Sequence, residues 1–289
     1  MINLFFQSEY VIRYEERSRG LGNVYKIQGK STLGLGYAVA FSELVLAPFM
    51  PSNTARSAGT IYPIAINIPQ IFNSLPDNEP RKIGAYISWV AIASTCVTSS
   101  MFLTALAPNL LAVDLIAKGT GHAITWMEWA KIMLPLMIPL FILTPWLTYV
   151  LYPPTQKKSP EAPAWAAEEL KKLGSITFKE YLMAGLATVA LVLWIFGKEL
   201  GVDATITAIS IVSIMILSGI ISWDDLLSDK AAFNVFIWFA TLVALADGLK
   251  KVGILDFIGK NSQAMLSDLS LTSLIIALIL LFYVLHYFF

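Results

Sequence analysis

Between Leu46 and Pro69 the chain reads LAPFMPSNTARSAGTIYPIAINIP, a polar knot set between apolar stretches. Ser52, Asn53 and Thr54 are short oxygen-bearing side chains in a row, with Arg56 just beyond them. Each of the three can bind a ligand or hydrogen-bond neighbouring backbone. A second apolar arm starting near Thr54 would aim its free N–H groups and positive dipole end at the knot, which suits a carboxylate. Unwound carbonyls and the Asn53 amide suit a hard cation such as sodium. A second break, TALAPN from Thr104 to Asn109, offers similar features, because Pro108 removes a backbone donor and frees carbonyls near Thr104. Two polar breaks in consecutive membrane segments can face one another and make one site.

Blander readings stand beside these. The knot could be an extramembrane loop, and TALAPN a plain proline kink. An arginine among small polar residues between apolar arms is expensive inside a membrane unless it is used. Arg56 could neutralise a substrate carboxylate through paired hydrogen bonds, or brace the knot against backbone carbonyls. Glu43 and Asp114 are candidate coupling carboxylates, although Asp114 is close enough to a span end to be solvated. His122 reads as a loop residue, and His286 as packing or helix surface.

The elements that must hold these residues are membrane helices. The 289 residues are 56% hydrophobic and 14% charged, with two histidines, one cysteine and no formal net charge. That composition, with several long apolar runs, describes an all-α polytopic membrane protein. It excludes an internal disulfide and gives no hint of nucleic acid. Two histidines and Cys96, with no convergent acid–base spacing, leave catalysis little to work with, so no enzyme is expected. The start of the chain lacks the features of a signal peptide.

Residues 1–30 are mixed and charged, and read as an interfacial amphipathic segment with Leu4, Phe5, Val11 and Ile12 on its apolar side. An apolar, glycine-rich stretch from Ser31 to about Met50 and another from Ile61 to Phe72 flank the knot. The run from Ile83 to Lys118 is too long for one straight span, and Pro108-Asn109 makes it a discontinuous helix. A span from Trp129 to Leu151 follows. Residues 153–178 form a polar, proline-rich linker loop, and 179–289 carry further apolar runs, about Tyr181–Phe196, Ala204–Ile221 and Phe233–Ala246, with a short amphipathic piece around Ile254–Leu266. Leu33–Gly36 is not a nucleotide loop, and its glycines point to close helix packing. Lysine and arginine place the segment before Lys30, the Arg81-Lys82 turn and the Lys157–Lys179 loop on the cytoplasmic side, with His122 and Lys198 outside. Both ends of the Ser31–Phe72 segment then lie on one side, the signature of a re-entrant hairpin.

SNTARSAGTIYPI, with GKSTLGLGYAVAFSELVLAPFM before it and SSMFLTALAPNLLAVDL after, resembles the divalent anion/sodium symporter family, in particular its bacterial citrate/dicarboxylate and 2-oxoglutarate/malate translocator branch. The resemblance implies an elevator-type transporter of two inverted repeats, each with a re-entrant hairpin and an unwound helix, the first over 31–152 and an incomplete second over 179–289. By position it implies that Ser52, Asn53 and Thr54 contact the substrate carboxylate and a first sodium, and that Ala105 to Asn109, including Pro108, complete that cation site. Arg56 is carried as a substrate-binding candidate. Family members are longer, and a second SNT-like motif is not found in this chain, so half a site is expected here.

The function expected is secondary active transport of a di- or tricarboxylate (citrate, succinate, malate or 2-oxoglutarate) across the inner membrane, by sodium symport or dicarboxylate exchange. The alternative is a truncated, non-transporting remnant of such a transporter. Beyond sodium as a coupling ion no cofactor is expected. The expected partners are the substrate and the lipid bilayer, with a homodimer left open.

Overall fold

The structure is a computed structural model, and it describes residues 29–172, 174–254, 257, 260, 261, 269–285 and 287. The 1–30 segment lies almost wholly outside these residues, as do His286 and most of the amphipathic piece expected near Ile254–Leu266. Among the described residues all regular structure is helical. The chain divides into two compact units, residues 1–236 and 237–289.

In the first unit α1 (Thr32–Leu46) is the first hairpin arm. Ser31 caps it, its Oγ accepting from the Gly34 N–H at 3.1 Å. A 3-10 turn at Ala47–Phe49 ends the arm at Pro48, and the knot follows. The second arm opens as a π-helix, Thr54–Ile61, and continues as the short helices α2 (Tyr62–Ala65) and α3 (Asn67–Ile71). Pro63 and Pro69 deny this arm a continuous ladder of N–H donors.

The discontinuous helix is present. Its first half is α4 (Gly84–Met101), and its second is α5 (Ala107–Thr120), with a 3-10 turn at Leu103–Ala105 between extended residues Phe102 and Leu106. Pro108 occupies the first turn of α5, where a missing N–H costs nothing. Gly121, at φ 75°, ends α5, and His122 lies in the exposed loop beyond it. Next comes α6 (Trp126–Leu151), opened by a reciprocal cap between Thr125 and Glu128.

The 153–178 segment differs from the expected loop, since it contains a helix, α7 (Glu161–Lys172). Pro163 sits in the first turn, where proline is tolerated. Ala162 and Ala166, one turn apart, are buried in the core that also holds Leu35, Val39, Ile68 and Ile87. After α7 come α8 (Phe178–Ile195) and α9 (Ala204–Leu217), antiparallel neighbours sharing a second core of Ala190, Trp194, Ala208, Ile211 and Met215. α9 is shorter than the expected span to Ile221, because Gly219 takes φ 68° and turns the chain. α10 (Trp223–Ser228) is followed by α11 (Lys230–Lys251), and the second unit contains α12 (Leu271–Leu285).

Among the described residues four helices are long and apolar enough to cross a membrane: Thr32–Phe49, Trp126–Leu151, Phe178–Ile195 and Ala232–Lys251. Backbone bonds gather the basic turns at one end of the first unit. Thr155 and Gln156 donate their N–H groups to the carbonyls of Arg81 and Lys82, both at 3.1 Å. Thr32 N–H reaches Lys157 O at 3.1 Å, and Ser159 N–H reaches Lys30 O at 3.2 Å. Ser74 Oγ, just past the second arm, accepts from the N–H groups of Ile83 and Gly84 at the start of α4. Both hairpin arms therefore meet this basic end. At the start of α6, Glu128 pairs with Lys198 at 3.5 Å, with His122 3.8 Å away.

Candidate functional site

The hairpin tip rests on the break in α4–α5. Thr104 Oγ1 donates to Pro48 O at 2.7 Å, and Ala107 N–H donates to Pro51 O at 3.0 Å. Trp126 Nε1 in turn reaches Thr104 Oγ1 at 3.3 Å, its ring stacked on Phe102 at 5.9 Å. These bonds satisfy carbonyls that the breaks leave without intrahelical partners. They also bring the N-terminus of the π-helix and that of α5 to one place, so two positive dipole ends converge there.

Ser52 and Asn53 are half-buried and Thr54 is exposed. Their side chains cap their own helix. Asn53 Oδ1 accepts from Thr54 N–H at 2.8 Å, and Ser52 Oγ accepts from Ala55 N–H at 3.2 Å. Across the break, Ala105 is buried, Pro108 is exposed and Asn109 is half-buried. Asn109 Nδ2 donates to Ser99 O at 2.8 Å and to Phe102 O at 3.2 Å, which ties the two halves of the broken helix together. Ser52–Thr54 and Ala105–Asn109 are thus assembled at one junction.

Arg56 faces inward. It is 0% exposed, and its guanidinium serves partners from every element at the junction. Nε donates to Glu43 Oε2 at 2.9 Å, and Nη1 donates to Met50 O at 2.9 Å and Ala105 O at 3.0 Å. Nη2 lies 3.3, 3.4 and 3.0 Å from the hydroxyl oxygens of Thr95, Thr98 and Ser99. Of the two roles considered for this residue, the geometry is that of the brace. The π-helix contributes to that aim. Its wider turn is seen in Tyr62 N–H bonding Ser57 O five residues back, and π segments commonly sit where a side chain must be placed out of α-helical register.

Glu43 is 0% exposed and is bound up with Arg56, whereas Asp114 is exposed and pairs with Lys118 one turn on, at 3.0 Å. Sequence reasoning missed the hydroxyl face of α4. Thr95, Thr98 and Ser99 recur at helical spacing within STCVTSS, and that spacing was the available signal. It missed Trp126 as the support of Thr104 as well. Among the described residues no cluster of three or more histidine, cysteine or acidic side chains is placed to hold a metal.

A hairpin tip seated on a broken helix, inside a bundle of apolar spans, defines a polytopic α-helical membrane protein with discontinuous-helix architecture. The chain belongs to the sodium:sulfate symporter family, whose transmembrane region it matches over residues 21–289. It is 50% identical over 265 residues to the L-tartrate/succinate antiporter of Escherichia coli K12, and 49% identical to that of Shigella flexneri; each match covers 91% of this chain and 54% of the relative. The chain spans about half the length of the curated relatives it matches. These relatives are transporters, not enzymes, and the chain is a multi-pass inner-membrane protein.

Proposed function

We propose that the chain carries the hairpin half-site of a dicarboxylate exchanger, with C4 dicarboxylates of the succinate and tartrate type as substrates. The names of the relatives support exchange of such anions. The observation that carries the reading is the Arg56 guanidinium, held on the Met50 and Ala105 carbonyls at 2.9 and 3.0 Å. Those unwound carbonyls are where a coupling cation would be expected. A fixed cation already on them, itself balanced by Glu43, disfavours a second cation there, and so favours exchange over sodium symport.

In this reading a substrate carboxylate displaces the Asn53 and Ser52 side-chain oxygens from the Thr54 and Ala55 N–H groups. Each N–H exchanges an internal acceptor for a charged one, and the Asn53 amide and the Ser52 and Thr54 hydroxyls turn to the ligand. The convergent dipoles of the π-helix and α5 favour the incoming anion. Arg56 stays behind the tip and holds the Met50 and Ala105 carbonyls in place. The second reading, a sodium ion held by Ser52, Asn53, Ala105, Pro108 and Asn109, needs Arg56 to withdraw from Ala105 O.

The test uses liposomes containing the Escherichia coli antiporter with the chain in place of its matching segment. Labelled succinate should enter only when the liposomes are loaded with unlabelled dicarboxylate. Equal uptake into empty liposomes would refute exchange.

A further inference from the structure

Resting on the exchange reading, we propose that Glu43 is a specificity-determining residue: its carboxylate cancels the Arg56 charge, and so sets how many negative charges the hairpin tip accepts. The argument starts from what Glu43 is not needed for. Arg56 is held by two carbonyls and three hydroxyls besides Glu43, all of them neutral. For the remaining donor, Nε, a neutral amide oxygen would serve as well as a carboxylate. A glutamine would satisfy Nε but would leave the buried guanidinium without a countercharge. What glutamate adds is the charge itself.

The consequence falls on the tip. With Glu43 present, the pair presents no net charge to Ser52–Thr54, and attraction for an anion comes from N–H groups and helix ends. Without the Glu43 charge, the guanidinium would stand alone a few residues behind the tip, in a site closed to water at 0% exposure. A unit charge about 10 Å away, at an effective dielectric constant near 20, changes the affinity for each further unit of ligand charge by about tenfold. Glu43 thus keeps a dianion from binding too tightly to be exchanged. It acts through Arg56 and touches no substrate.

The local potential can be read without substrate. In the full chain, Cys96→Ser removes the sole native thiol and Thr54→Cys places a new one on the exposed tip. Its rates of modification by anionic 2-sulfonatoethyl and cationic 2-(trimethylammonium)ethyl methanethiosulfonate are then compared. Adding Glu43→Gln should raise the anionic-to-cationic rate ratio by about tenfold or more, and Glu43→Asp, which keeps the charge, should leave it unchanged. A folded Glu43→Gln protein whose ratio stays within about twofold of its parent overturns the proposal and leaves Glu43 a structural counterion. Should Glu43→Gln fail to insert, Glu43→Gln/Arg56→Gln, which has the same net charge as the parent, must keep the parental ratio, and a changed ratio overturns the proposal. In exchange assays with Thr54 intact, Glu43→Gln should increase the preference for succinate over its half-amide, succinamate, by about tenfold. Wild-type protein that exchanges neither would refute the exchange reading, while the thiol ratios still decide the role of Glu43.

Discussion

Arg56 Nε donates to Glu43 Oε2 at 2.9 Å, at a point where neither side chain touches water. This one bond joins the first hairpin arm to the start of the second. Through the other guanidinium nitrogens Arg56 joins both arms to the first half of the broken helix and to the turn at its break. Removing one partner of such a pair strands a buried charge, which costs about 3–5 kcal/mol. Arg56→Ala should therefore lower the thermal unfolding temperature markedly in detergent. Arg56→Lys should recover only part of the loss, since an ammonium cannot reproduce the planar fork. Unfolding temperatures of Arg56→Ala at the wild-type level would remove the brace from the account.

Asn53→Ala takes the acceptor from Thr54 N–H and the amide from the proposed ligand set. Losing one hydrogen bond to a charged ligand costs about 1.5–3 kcal/mol, or roughly ten- to a hundredfold in apparent affinity. The expected result is normal insertion with strongly raised KM for succinate. Wild-type KM would assign the knot to structure alone.

Gly36 lies against Tyr86, and a Cβ added there would sit 2.1 Å from the Tyr86 hydroxyl oxygen. Tyr86 is buried and donates to Pro145 O at 3.2 Å, so its ring cannot simply swing away. Gly36→Ala should cost about 1–3 kcal/mol by overpacking, and Gly36→Ala/Tyr86→Phe less. Equal unfolding temperatures for the two variants would show that the hydroxyl is not the obstacle.

Bonding of the basic turns to one another fixes a topological expectation. Cysteines replacing Asp77 and Lys157, both exposed, should react with an impermeant reagent only from the cytoplasmic side, and one replacing His122 only from the other. Labelling of Asp77→Cys in intact cells would overturn that orientation.

Asp203, exposed before α9, accepts from the N–H groups of Thr205 and Ile206, and these bonds hold its carboxyl below the usual carboxylate range. A depressed native pKa means that the cap's contribution is present above the ordinary value and is lost as pH falls through the native one. Asp203→Ala should cost about 0.5–2 kcal/mol at neutral pH and progressively less in acid. A penalty that does not change with pH would refute the charge-dependent cap.

Much of this architecture was legible because proline and lysine act locally. Pro48 and Pro108 announce the two breaks, and Lys30, Arg81-Lys82 and Lys157-Lys158 announce the shared end. The aim of Arg56 was not legible, since an arginine among small polar residues satisfies either a ligand or a brace. Its partners decide the matter, and Glu43, Ala105 and Ser99 lie 13, 49 and 43 residues away, a pairing that no local pattern reveals. α7 was hidden for the opposite reason. Its prolines and charges look like a loop, and only the burial of Ala162 and Ala166 against the hairpin core makes a helix worthwhile.

The central claim is that Arg56 holds the carbonyls that a coupling ion would otherwise use. The most direct measurement is the initial rate of succinate exchange in liposomes as sodium is replaced by potassium or choline, with the chain in the antiporter framework. The account predicts the same rate in all three salts for the wild type, and no rescue by potassium or choline where Arg56→Ser has lost activity. A wild-type rate that rises saturably with sodium and vanishes without it would contradict the account.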